Sequence, residues 1–169
     1  MKKKFISIYN KLSDSVFRYC IFRISDRDVA LDITQETFTK YWDALSAGQK
    51  INSDRALIFK IARNLIIDHY RKHKSCSLES LAETEDGENV EEFTLIEDNQ
   101  KCEIELETEA RFLISKIKEL PKSYQQIIYL RYVEDMKPDE IAKILGVSVN
   151  AVSVRIHRGI EGLKKITGY

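Results

Sequence analysis

The sequence predicts an all-α protein: two small helical domains, residues 1–74 and 108–169, joined by a flexible acidic linker over 75–107. Three observations carry this. Apolar residues recur at helical spacing through most of the chain, and only two prolines interrupt it. Charge is segregated: residues 1–74 hold 15 Lys/Arg against 8 Asp/Glu, residues 75–109 hold 1 against 13, and residues 110–169 hold 11 against 6. The zero net charge of the chain therefore hides segments of +7, −12 and +5, which predict two nucleic-acid-binding domains and a tether with another task. Finally, Lys137 to Lys165, KPDEIAKILGVSVNAVSVRIHRGIEGLKK, has the grammar of a helix-turn-helix.

The elements follow in order. Residues 5–24 form an amphipathic pattern with Phe5, Tyr9, Leu12, Val16, Tyr19 and Cys20 on one side. Ser25 and Asp28 stand in capping-box positions for a second helix over about 27–45. That helix has two apolar surfaces. Val29, Ala30, Ile33, Thr37, Tyr41 and Ala44 make one, and Phe38 and Trp42 lie on the other, beside Asp32, Gln35 and Glu36. A small domain needs one buried face, so the second is a candidate partner surface, unless Trp42 merely caps the local core.

Ser46 to Ser53 is a polar loop, and Asp54 is placed to cap a third helix running to about Lys74. Leu57, Ile58, Ile61, Ala62 and Leu65 are expected inward, with Lys60, Arg63, Asn64, Arg71 and Lys74 outward. A basic outer face of this length favours a surface that tracks phosphates over a merely solvated helix end. The segment from Ser75 to about Glu107 is acidic, aromatic-poor and without clear helical period, as a linker would be. Helices resume from Thr108 to about Glu119 and from Pro121 to about Glu134.

In the C-terminal stretch Pro138 suits a first helical position, Asp139 and Glu140 complement the dipole, and Ile141, Ala142, Ile144 and Leu145 form an apolar stripe. Gly146 supplies a left-handed stop, Ser148 an N-cap, and Val147 and Val152 a hydrophobic staple. In the second helix Val149, Val152, Ile156, Ile160 and Leu163 share one face. Asn150, Ala151, Val154, His157 and Arg158 lie opposite, flanked by Ser153 and Arg155. An exposed polar and basic face on such a helix is the form of a major-groove reader, with an ordinary helical hairpin as the alternative.

Other classes find little support. No apolar run approaches the ~18 residues of a membrane span. The basic start MKKKFISIYNKL is broken by polar residues before a signal-peptide core can form, so a cytoplasmic location is expected. Cys20, Cys76 and Cys102 are too few and scattered for a disulfide framework. His69, His73 and Cys76 do not converge with a further cluster, so no metal or other cofactor is expected. No phosphate-binding glycine loop or nucleophile–base set suggests an enzyme, and no catalytic residue is assigned.

With these residues in view, the chain resembles the sigma-70 family of bacterial transcription initiation factors, specifically its extracytoplasmic-function (ECF) group, which retains only the second and fourth conserved regions. DITQETFTKYW (Asp32–Trp42) is similar to the polymerase-binding helix of region two, and IFKIARNLIIDHYRK (Ile58–Lys72) to the helix that engages the −10 element. Leu120–Lys165 is similar to region four, which reads the −35 element. The resemblance implies that Asp32, Gln35, Glu36, Phe38 and Trp42 bind the clamp of the largest subunit of core RNA polymerase. It implies that Asn64, with Lys60, Arg63, Asp68, Arg71 and the Ser46–Asp54 loop including Asp54, holds an unstacked base of the opened −10 element. Ser148, Asn150, Ala151, Ser153, Val154, Arg155, His157 and Arg158 occupy the −35 reading positions. The partners implied are core polymerase, including the flap of its second-largest subunit, and promoter DNA, with an anti-sigma factor as a further candidate and no membrane insertion.

Four positions depart from the family pattern. Ala151 stands for Thr or Ser, Ser153 for Lys or Arg, Val154 for Ser, and Lys137 for a Ser or Thr cap. Ala151 and Val154 suit thymine methyl groups, while the missing cap costs about 1 kcal/mol at that helix start. The acidic linker has two physical uses, folding back over the basic faces or threading a positively charged channel of the polymerase. The family resemblance favours the second, and a plain spacer is the alternative.

Overall fold

The computed structural model describes residues 1–73 and 108–168, and every regular element among them is helical. The chain divides into two compact units, Met1–Cys102 and Glu103–Tyr169. The linker expected over 75–107, with Cys76 and Cys102, lies outside the described residues, as does Lys74.

The first unit is a three-helix bundle of α1 (Lys2–Ile24), α2 (Arg27–Ser46) and α3 (Asp54–His73). Leu12, Val16, Tyr19 and Cys20 are buried as expected, and burial pushes the Cys20 thiol up to about 12, so it packs as a small apolar group. The turn into α2 differs from expectation. Ser25 is in the left-handed region at φ 60° and closes α1 through an N–H to Ile21 O contact of 2.9 Å. The extended backbone that an N-cap needs falls one residue later, where Asp26 Oδ1 accepts from Val29 N–H at 3.0 Å. Along α2 the buried hydroxyls of Thr34 and Thr37 donate back to Ala30 O and Ile33 O, both at 2.7 Å.

The third helix is capped one residue earlier than expected: Ser53 Oγ, not Asp54, accepts from Ala56 N–H at 3.2 Å. Its buried stripe runs through Ala56, Ile58, Phe59, Ala62, Arg63, Ile66 and Ile67, whereas Leu57, Ile61 and Leu65 are half-buried. The stripe is thus turned by roughly one residue's rotation from the expected one. Packing against both α1 and α2 draws in residues from either flank.

In the second unit α4 (Thr108–Glu119) precedes α5 (Lys122–Ile128), which runs into a π-helical turn over Tyr129–Val133. Pro121 caps α5 from outside rather than starting it. The π turn closes with Glu134 N–H donating to Tyr129 O at 3.2 Å. The helix-turn-helix consists of α6 (Pro138–Leu145) and α7 (Val149–Thr167). The ammonium of Lys137 cannot accept a cap bond, but Glu140 Oε2 accepts from Lys137 N–H at 3.1 Å, supplying the return half of a capping box. Gly146 takes φ 71° and donates to Ala142 O at 2.8 Å, and Ser148 Oγ then accepts from Ala151 N–H at 3.1 Å. The close approach of α7 to α5 depends on Gly159, where a Cβ would lie 2.6 Å from Ile128 Cγ1. No helix among the described residues is long and apolar enough to cross a membrane.

Candidate functional site

Three surfaces gather the residues singled out from the sequence. On α7, Asn150, Ser153, Val154, His157 and Arg158 are exposed, with Ser148 exposed at the cap. Ala151 and Arg155 are half-buried at the flanks. Val152 and Gly159 are buried on the opposite side, which fixes the outward direction of this set. Val149, expected on the inner face, is exposed because it is the first helical residue and precedes the packed part of α7. His157 Nε2 lies 3.4 Å from Glu161 Oε1 across an exposed turn, and Ser153 Oγ donates to Val149 O at 3.0 Å. The stripe offers an amide, a hydroxyl, an imidazole, a guanidinium and an isopropyl group, a set suited to base edges and thymine methyls in a major groove.

On α2, Asp32, Gln35 and Glu36 are exposed, with Lys40 Nζ 3.4 Å from Glu36 Oε1. Phe38 is not part of an open second surface: it is only 3% exposed. The N-terminal turns of α1 cover it, with the Tyr9 ring 4.8 Å from Phe38 and the Phe5 ring 5.1 Å from a half-buried Trp42. A groove of about 310 Å³ remains, lined by Phe5, Tyr9, Gln35, Phe38, Thr39 and Trp42, among others. Phe5 and Tyr9 belong by spacing to the apolar side of α1. Their place here had no signal in the sequence, because pattern alone does not tell which helix covers an apolar face.

On α3, Lys60, Asn64, Asp68, Arg71 and Lys72 form the exposed stripe. Arg63, expected among them, is 6% exposed, since the rotated stripe carries it inward between Phe59 and Ile66. The outer face is therefore less basic than expected, with Asp68 at its middle. Asp54 is likewise engaged within the bundle. Its Oδ1 lies 2.9 Å from Lys4 Nζ and accepts from Tyr41 Oη at 2.8 Å. Burial, and then the bond and charge of Asp54, raise the Tyr41 hydroxyl well above the usual tyrosine range. The loop between α2 and α3 exposes residues 47–50 and Asn52, and turns at Gly48, φ 67°. Among the described residues no group of three or more His, Cys, Asp or Glu side chains could hold a metal ion.

The family models for sigma-70 region 2 and sigma-70 region 4 match residues 8–76 and 113–163 of this chain. The ECF RNA polymerase sigma factor SigW of Bacillus subtilis is 30% identical over 170 residues, covering 95% of this chain and 87% of that protein. The chain belongs to the ECF group of the sigma-70 family. As an ECF sigma factor it is a transcription initiation factor that directs RNA polymerase to promoters. Sigma factor SigV of Bacillus subtilis is 28% identical, over 86% of this chain and 80% of its own. Among solved structures, the ECF sigma factor shares its fold with RpoE of Bartonella quintana, seen with the anti-sigma factor NepR, at TM-score 0.68 and 20% identity over 98% of each chain. It shares the fold too with CnrH, seen with the cytosolic domain of CnrY, at TM-score 0.67 and 21% identity over 99% of this chain and 90% of that one.

Proposed function

We propose that this ECF sigma factor divides promoter recognition between its exposed stripes and carries out no chemistry of its own. Asp32, Gln35 and Glu36 of α2, with the rim of Trp42, engage the clamp of the largest polymerase subunit. Asn64, with Lys60, Asp68 and Arg71 and the 46–54 loop, holds the opened −10 strand, its cations following the backbone and its amide meeting a base edge. Asn150, Ser153, Val154, His157 and Arg158, beside Ser148, Ala151 and Arg155, read the −35 duplex, and the same unit contacts the flap of the second-largest subunit. The observation that supports this best is the α7 stripe, exposed as a set against a buried Val152 and Gly159.

Residues 1–74 and 108–169 act as the two DNA-facing domains and 75–107 as the acidic tether. Work on promoters places the protein in the cytoplasm, and the fold shared with RpoE and CnrH supports an anti-sigma factor as a further partner. Binding of the Asp32→Ala, Gln35→Ala double variant to core polymerase tests the clamp face. Affinity should fall at least about tenfold with helical circular dichroism unchanged, as for loss of central interface side chains. Unaltered affinity would remove α2 from the interface.

A further inference from the structure

All three helices of the first unit meet at one carboxylate. Asp54 is the first residue of α3 and the last of the loop that leaves α2. Its Oδ1 takes a hydrogen bond from Tyr41 of α2 at 2.8 Å and an ion pair from Lys4 of α1 at 2.9 Å. Tyr41 is fully buried and stacks on Phe5, ring centroids 6.1 Å apart, so its hydroxyl is held by the packing of α1 on α2. The other end of the loop is tied separately, by Gly48 N–H to Leu45 O and Gln49 N–H to Ala44 O, both at 3.1 Å. The far end has its own cap at Ser53, but that cap orients only the first turn of α3. The Asp54 carboxylate is the polar tie that joins this turn to both α1 and α2, beside the packing of Ala56, Ile58 and Phe59. The loop residues between are largely exposed, so their position is inherited from the two ends.

We infer that Lys4 and Tyr41 are positioning residues which, through Asp54, set where the 46–54 loop presents its backbone and side chains to an unstacked base. The inference rests on the assignment of that loop to the opened −10 element. It gives the N-terminal turn of α1, remote in sequence from any DNA-reading segment, a part in strand opening. The side chains of Lys4 and Asp54 are 47% and 22% exposed. Loss of such a pair loosens a local contact and leaves the bundle folded.

The experiment compares amide hydrogen exchange in the full-length free protein for the wild type, Lys4→Ala, Tyr41→Phe and Lys4→Arg. Exchange at Ala56 and Leu57 should speed by about threefold in the first two variants, with Lys4→Arg near wild type and the amides of Gln49, Val16 and Cys20 unmoved. Unchanged exchange at Ala56 and Leu57 in both variants would overturn the inference. A second measurement uses core polymerase and duplex promoters that differ at one −10 base. Open-complex discrimination should fall by about threefold in Lys4→Ala, in step with the loosened loop. A loosened loop with discrimination intact would instead remove the loop from −10 reading, while the positioning role stood.

Discussion

Helices α3 and α7 are nearly the same length, 20 and 19 residues, yet their surfaces were unequally legible. In α7 apolar and polar residues are sharply segregated, and the outward stripe from Asn150 to Arg158 emerged where expected. It can seat closely with few large buried side chains because Gly159 lets α5 approach. In α3 the segregation is weak, and packing by both α1 and α2 buries roughly half its circumference, Arg63 included. Periodicity thus locates the outer face of a helix whose apolar and polar residues are sharply segregated, even though α7 packs on α4, α5 and α6. It fails by about a residue's rotation where that segregation is weak, as in α3.

The contrast can be broken first at the seam of α7. Gly159→Leu should destabilise the second unit by about 3 kcal/mol, since the added side chain must displace Ile128 in a packed core. The single tryptophan, Trp42, lies in the first unit. Urea unfolding followed by circular dichroism should therefore shift while the tryptophan fluorescence transition stays in place. A common shift would show that the seam is not local.

A smaller effect separates adjacent residues of α3. Arg63→Ala should cost about 2 kcal/mol of first-unit stability, as for truncation of a long side chain that is packed and buried. Asn64→Ala should stay within about 0.5 kcal/mol yet abolish most permanganate reactivity of the −10 region in the polymerase complex. Equal stabilities for the two variants would restore the expected outward Arg63.

The helical architecture was legible because its signals were local: glycine and serine at the turn of the helix-turn-helix, and repeated apolar spacing. The corners were off by one residue for a physical reason. Ser25 and Asp26 both suit a cap, as do Ser53 and Asp54, and backbone geometry decided between neighbours. The covering of Phe38 by Phe5 and Tyr9, and the bonds that tie Asp54 to Tyr41 and Lys4, are tertiary facts. Lys4 and Asp54 are fifty positions apart, and no short-range pattern joins them.

On α7 itself, Arg158→Ala should remove at least about 1 kcal/mol of discrimination at one or two −35 positions. Promoter variants bound by the holoenzyme would measure it. A uniform loss across all sequences would make Arg158 a phosphate contact.

The most direct test of the central claim, that exposed stripes on both units serve one polymerase-dependent promoter reader, is a run-off assay paired with a gel shift on the same duplex promoters. Core polymerase with the full-length chain should yield discrete starts downstream of paired −35 and −10 elements, and Asn64→Ala or Arg158→Ala should each reduce them. The free chain should bind those duplexes weakly and without preference. Tight, sequence-specific binding by the free chain, with starts unchanged on its addition to core polymerase, would contradict the account.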